Sequence, residues 1–511
     1  MTFEHGKSTT VKTQKGLLRG FKYNDVYHFY GVKYANAERF MPPVEVEPWE
    51  GVKEATNYGY ICPNVQYNRI GTNVKNPHRF WPESEHCQYL NIWTKSIDAN
   101  NKKPVLVWFH GGGFFDGSSL EHETYDGYSL CDIGDVVVVT LNHRLSVWGY
   151  LDLSDYGEQF KRSKNVGNLD LIAALQWVNK NIEYFGGDKD NVTLFGQSGG
   201  GIKVISVMNM PASKGLFKRG FVMSGLEGTK SFSRHNVDNR DLVKRTLDKL
   251  GITKDNIQDL VEMNGRRILD TYIATSKELG GKGIPFFAPT RNEDYIGNPI
   301  TFGFSEHAKA APLIVGSNFS EFLLLPKKYD RSSMNEEQMR NAVACELKVD
   351  NPDYLIALFN KAFPKDHKTI DILTYDCCCI RPDVYEFCKA RLDAGCRETY
   401  NYMFAPVFKL NDGFTASHST DIAFIFNNIH MVPSTDLDGQ ELDLQYEMVG
   451  RLLAFANNDN PQLEGKDVWH PVTQDAFPTM VFDRETHEKV DFDKELIDEL
   501  GKLKTFTLVV G

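Results

Sequence analysis

Apolar residues along this chain fall into short blocks that alternate with stretches of helical period. Val105–Phe109 is continuously apolar, bounded by Lys102-Lys103-Pro104 on one side and by His110-Gly111-Gly112-Gly113 on the other. That pattern predicts a strand buried on both faces and ending in a glycine loop. Asp135–Leu141, rich in β-branched residues, predicts a second buried strand. Leu169, Ile172, Ala173, Leu175, Trp177 and Ile182 follow at helical spacing, with Asn165 or Asn168 as the cap and Gly186-Gly187-Asp188 as the stop.

The alternation continues. Short strands are expected at Asn191–Phe195, Phe221–Gly225 and Pro312–Gly316, and an aromatic-rich one at Thr399–Phe408. Ile202–Met210 reads as a helix ended by Pro211, and Asp443–Asn457 as another. Residues 9 to 60 read as short strands with turns. Strands alternating with helices imply a largely parallel sheet covered on both faces. A polar helical stretch, about 228–305, and a second helical stretch, 335–396, read as insertions, the first lying over the top of the sheet. No repeat or low-complexity linker interrupts residues 1–511, so a single catalytic domain is expected.

Composition narrows the function. The 511 residues are 41% hydrophobic and 24% charged, as in soluble globular proteins. A net charge of -11 argues against a nucleic-acid partner, which would select a basic footprint. The first residues, MTFEHGKSTTVKTQKG, contain no apolar signal-peptide core, and no apolar run is long enough to span a membrane. The expectation is a soluble protein without a membrane partner, either cytoplasmic or an already trimmed mature form, the leading Met favouring the first. Nine cysteines leave at least one unpaired. Cys377-Cys378-Cys379 with Cys388 and Cys396 do not follow a structural zinc spacing, so plain thiols are expected and no metal site.

Gly196-Gln197-Ser198-Gly199-Gly200 lies between an expected strand and an expected helix, the context required of a nucleophile elbow. The sharp turn needs small residues on either side of the serine and lifts its hydroxyl clear of the sheet. His110-Gly111-Gly112-Gly113-Phe114 is the partner motif, whose backbone N–H groups can face a developing oxyanion. The N–H of Gly199 adds a further donor. These motifs predict the α/β-hydrolase fold and a serine nucleophile at Ser198. The serine needs a histidine base oriented by a carboxylate, in the chain order Ser, acid, His. Glu321 follows an apolar strand. The later histidines are His367, His418, His430, His470 and His487, and His418 lies in a loop after the aromatic strand.

At this point the chain resembles the type-B carboxylesterase and cholinesterase family over nearly its whole length. The resemblance is carried by Gly31–Ala35 with Arg39-Phe40, Cys87–Trp93, Asn142–Leu145, Gly167–Asp170, Ala174–Val178 and Phe185–Asp188. It implies a carboxylic ester hydrolase working through an acyl-enzyme on Ser198, on a small-molecule ester, without metal or organic cofactor. It assigns the acid to Glu321 in Gly316–Glu321 and the base to His418 in His418–Phe424. It implies oxyanion donors at Gly112, Gly113 and Gly199, and structural ion pairs Arg39–Glu85 and Arg144–Asp170. Cys62 and Cys87 match the family's first disulfide loop, a bridge that stays reduced in a cytoplasmic protein. By family position Phe286 and Phe287 line the acyl pocket. The family usually carries Glu before the serine and Ala after it, whereas this chain has Gln197 and Gly199. Losing that carboxylate argues against a quaternary-ammonium substrate. The alternatives are a lipase, which would need an apolar lid that the polar 228–305 segment does not offer, and a non-catalytic binding member of the fold.

Overall fold

A computed structural model of the chain describes residues 2–65, 79–226, 228, 239–281, 287–410 and 413–504. Twelve strands form one sheet. In chain order these are β1 (Phe3–Glu4), β2 (Phe21–Tyr23), β3 (Val26–Lys33), β4 (Tyr89–Thr94), β5 (Lys103–Phe109) and β6 (Val137–Leu141). Then follow β7 (Gly187–Gln197), β8 (Arg219–Met223), β9 (Leu313–Asn318), β10 (Thr399–Phe404), β11 (Pro478–Phe482) and β12 (His487–Val490). Their order across the sheet is β1-β2-β3-β4-β6-β5-β7-β8-β9-β10-β11-β12. The run from β6 to β11 is parallel throughout, with antiparallel strands at both edges. This is the α/β-hydrolase architecture that the alternating pattern implies.

The continuous apolar runs follow from burial on both faces. In β5, Leu106 and Trp108 enter one core together with Val138, Phe195 and Phe221. Val105, Val107 and Phe109 enter the other with Val137, Val139 and Leu194. Side chains alternate as a strand requires, yet neither set meets water.

The helices cover both faces. The principal ones here are α1 (Val166–Asn181), α2 (Gly199–Met208), α3 (Arg240–Leu250), α4 (Gly265–Glu278), α5 (Glu336–Leu347), α6 (Asp353–Ala362), α7 (Ile380–Asp393), α8 (Glu441–Asn458) and α9 (Lys494–Gly501). Asn165 is the N-cap of α1, but its amide is engaged by Thr290 and Asn292 instead of the helix's first turn. Helix α2 starts three residues earlier than its apolar stretch suggests, because the glycines after Ser198 are already helical. Strand β6 starts at Val137, since Asp135 is left-handed, with φ 49°, and ends the preceding helix.

Within the polar 228–305 segment one helix is amphipathic. In α3, Val243, Thr246, Leu247 and Leu250 are buried while Asp241, Lys244, Arg245 and Asp248 face solvent. Its charged residues hid the stripe, which recurs at three- and four-residue steps. That stripe is packed with Ile268, Leu269 and Tyr272 of α4 and with Trp148. Among the described residues no helix is long and apolar enough to cross a membrane.

Candidate active site

Register places the two glycine motifs side by side. Phe109, the last residue of β5, pairs with Gly196 near the end of β7. Parallel neighbours end at the same edge, so His110–Gly113 and Ser198 leave the sheet together. Ser198 occupies φ 57°, ψ -128°, a region strained for a residue with a Cβ. The chain is held there by a bond from Ser198 N–H to the carbonyl of Met223 on β8, 2.8 Å.

Close packing explains the small residues around it. A Cβ on Gly196 would lie 2.5 Å from the backbone of Gly200, and one on Gly200 would lie 2.0 Å from the carbonyl oxygen of Phe109. A Cβ on Gly199 would meet the Cα, N and O of Gly113, each at 2.4 Å. The elbow and the loop after β5 are in backbone contact. Gly112 and Gly113 turn with φ 80° and 62°, values that glycine adopts freely. The N–H groups of Gly112, Gly113 and Gly199 have no hydrogen-bond acceptor among the described residues.

The structure brings Glu321 and His418 to the same edge. Glu321 lies three residues beyond β9, and its backbone bridges to Ser417. Its Oε2 accepts from Nδ1 of His418 at 2.5 Å, and its Oε1 accepts from the N–H of Asn318 at 2.6 Å. The backbone N–H of His418 returns to the carbonyl of Glu321 at 2.8 Å. Phe322 packs on the imidazole with ring centres 4.0 Å apart. With Nδ1–H donating to the carboxylate, Nε2 keeps its lone pair. The amide of Gln197, the residue before Ser198, donates to that nitrogen at 3.2 Å. Ser419 Oγ donates to the Gln197 carbonyl oxygen at 3.1 Å.

Two more carboxyls surround Glu321 from behind. Asp376 is fully buried and accepts from the N–H groups of Cys379, Ile380 and Arg381 at the start of α7. Desolvation, with the negative Glu321 nearby, pushes its pKa up to about 7. Asp421 accepts from Tyr402 Oη at 2.8 Å and is raised to about 6 by the same two causes.

The Carboxylesterase family profile matches residues 7–497. The chain belongs to the carboxylesterase family. As a carboxylesterase it is a carboxylic ester hydrolase acting on small-molecule esters. It is 29% identical to the para-nitrobenzyl esterase of Bacillus subtilis (strain 168), over 95% of this chain and 97% of that protein. A solved Clostridium hathewayi esterase, described as hydrolysing aliphatic aromatic polyesters, superposes with a TM-score of 0.93. It is 37% identical and covers 98% of this chain and 100% of that one. The Geobacillus stearothermophilus carboxylesterase Est55 superposes with a TM-score of 0.71, at 27% identity over 96% and 99% of the two chains.

Other residues of this carboxylesterase named from sequence fall as follows. Arg39 bonds Glu85 through two nitrogens and reaches the carbonyl of Leu260 beside α4. Arg144 and Asp170 form a bidentate pair at 2.8 and 2.7 Å, both fully buried. Cys62 and Cys87 are buried free thiols in mutual contact. Phe286 lies outside the described residues. Phe287 is 2% exposed and stacks on Tyr272 at 5.4 Å. It borders a cavity of about 210 Å³ with Tyr150 and Arg240. Sequence reasoning missed Asp376, the contact of Gln197 with the imidazole, and Lys203, a lysine inside the otherwise apolar α2. Its only signal is a charge within Ile202–Ile205.

Proposed function

We propose that Ser198, His418 and Glu321 form the catalytic triad of this carboxylesterase, with Gly112, Gly113 and Gly199 as oxyanion donors. Ser198 Oγ attacks the ester carbonyl while His418 Nε2 takes its proton. Glu321 stabilises the imidazolium through Nδ1–H. The three glycine N–H groups hold the tetrahedral oxyanion. His418 returns the proton to the departing alcohol, leaving an acyl-enzyme on Ser198. Water then attacks with His418 as base, releasing the acid. These steps use the chain's own groups and one water.

One observation carries this reading. The residue preceding Ser198 touches Nε2 of His418, while Nδ1 of the same ring is bonded to Glu321. The base thus bridges the elbow and the acid. The packed stripe of α3 supports soluble esters over lipid interfaces, because that apolar face is already occupied. We propose further that residues 1–511 act as one catalytic unit, with about 228–305 and 335–396 as helical insertions, and that the enzyme works in the cytoplasm. A sheet that draws strands from Phe3 to Val490 supports the first point. The acyl-pocket reading of Phe286 and Phe287 is tested by the chain-length preference of a Phe287→Ala variant.

The test compares wild type with Ser198→Ala on para-nitrophenyl acetate through octanoate, on an emulsified triglyceride and on a short aliphatic aromatic diester. The serine variant should lose about four to six orders of magnitude in turnover, and a fluorophosphonate should label only the wild type. A folded Ser198→Ala protein with near-wild-type turnover would remove Ser198 from the mechanism.

A further inference from the structure

Lys203 stands five residues after Ser198 on α2 and is fully buried. A lysine stem normally carries its ammonium to water. Here Nζ instead donates to the carbonyl of His110 at 2.9 Å and to that of Gly111 at 3.3 Å. The ring of Phe114 lies under it at 5.7 Å. Burying a cation is costly unless it is well partnered, so a lysine here calls for an explanation.

The two carbonyls suggest one. The carbonyl of Gly111 belongs to the same peptide group as the N–H of Gly112. The carbonyl of His110 likewise shares a peptide group with the N–H of Gly111. An ammonium on the oxygen side draws the amide electrons toward oxygen and leaves the N–H a stronger donor. It also fixes the direction of that N–H by anchoring the opposite end of a planar group.

We propose that Lys203 is the positioning residue of the oxyanion hole, orienting and polarising the Gly111–Gly112 peptide from behind. This rests on Gly112 serving as an oxyanion donor. Lys203 does not touch substrate. Its effect reaches the transition state through the peptide and through its own charge in a water-poor interior, where charge acts strongly.

The groups facing Lys203 fit this role. Burial pushes the Lys203 pKa down to about 7, while Glu121 and Cys62 favour the protonated form. His110 and His143 also feel the lysine. Burial and the cation hold His110 at about 3 and His143 well below its usual value, so both remain neutral. Among these three groups the lysine is the one that can carry positive charge at neutral pH.

The experiment uses the full chain with Lys203→Met, Lys203→Gln and Lys203→Arg, a para-nitrophenyl ester, and a trifluoromethyl ketone that forms an oxyanionic hemiketal on serine. Lys203→Met and Lys203→Gln should lower kcat by about 10- to 100-fold with KM little changed, and weaken ketone binding by a similar factor. Lys203→Arg, if it keeps activity, should abolish the alkaline limb that lysine deprotonation gives the wild type, because guanidinium does not titrate there. A folded neutral variant with wild-type kcat and ketone affinity overturns the proposal, as does one that loses kcat but binds the ketone normally. Should neither neutral variant fold, an active Lys203→Arg enzyme with a wild-type pH profile overturns it, and so does the absence of an alkaline limb in the wild type. If Ser198→Ala is also fully active, the site assignment itself has failed.

Discussion

The side-chain amide of Gln197 donates to His418 Nε2 across 3.2 Å, and Ser419 holds the far end of that amide at 3.1 Å. The lone pair that must accept the Ser198 proton is thus already solvated by a neighbouring neutral group. A carboxylate at position 197 would accept from imidazolium instead of donating to imidazole. Glu321 already accepts from Nδ1 on the other side of the ring. Gln197→Glu should therefore favour protonated His418 and move the acid limb of kcat/KM to higher pH by about one unit. The pH profile of ester hydrolysis reads this directly, and an unmoved limb would separate residue 197 from the base.

Glu321→Gln keeps the size of the side chain and removes its charge. His418 then loses the anion that stabilises imidazolium, and the Asn318 N–H loses a charged acceptor. Turnover should fall by about 10³- to 10⁴-fold, as expected for a triad acid replaced by its amide. Melting temperature, measured alongside, separates this loss from unfolding.

Gly199→Ala should impair this enzyme. The new methyl would meet backbone atoms of Gly113 at 2.4 Å, so the loop must retreat and take an oxyanion donor with it. A kcat lower by about 10- to 100-fold, with a lowered melting temperature as the backbone gives way, is the expected result. Full activity would show that the loop relaxes without cost.

His367 offers a stability test away from the chemistry. It is buried against Phe319, its Nε2 donates to the carbonyl of Ala405 at 2.9 Å, and burial lowers its pKa to about 4. The unfolded chain binds a proton here near pH 6.5, which the folded protein refuses until about 4. Its contribution is complete above the unfolded value and is lost as pH falls toward the folded one. Across that window the loss is roughly 3 kcal/mol. His367→Gln, which retains a donor for Ala405, removes the titration. Its stability relative to wild type, from urea unfolding, should improve as pH falls from about 6.5 to 4. A pH-independent difference would mean that the ring is not held neutral.

Much of this was legible in the sequence because local rules and tertiary context agree there. The buried strands showed as continuous apolar runs, and Gly196, Gly200 and the His110–Gly113 loop are glycines for steric reasons that motif spacing already expresses. Glu321 and His418 were candidates by position at strand ends, but several histidines were open until the family resemblance selected one. What stayed hidden depends on contacts between distant segments. Asp376 reads as an ordinary helix-start acid, and only the fold sets it behind Glu321. Lys203 reads as a stray charge, and only register shows which carbonyls it meets. The stripe of α3 was obscured because polar residues dominate its composition while burial follows its period.

The separation of the active groups along the chain also has a kinetic meaning. Gln197 and His418 touch across 221 residues of sequence, and Glu321 and His418 across 97. Contacts so distant in sequence carry a larger loop-closure cost. A ribosome-bound nascent chain that has displayed the serine elbow still lacks its base until β10 has docked and the following loop has closed. Hydrolytic turnover is therefore a reporter of completed folding for most of this polypeptide, and fragments that end before His418 should be catalytically silent however well their first strands assemble.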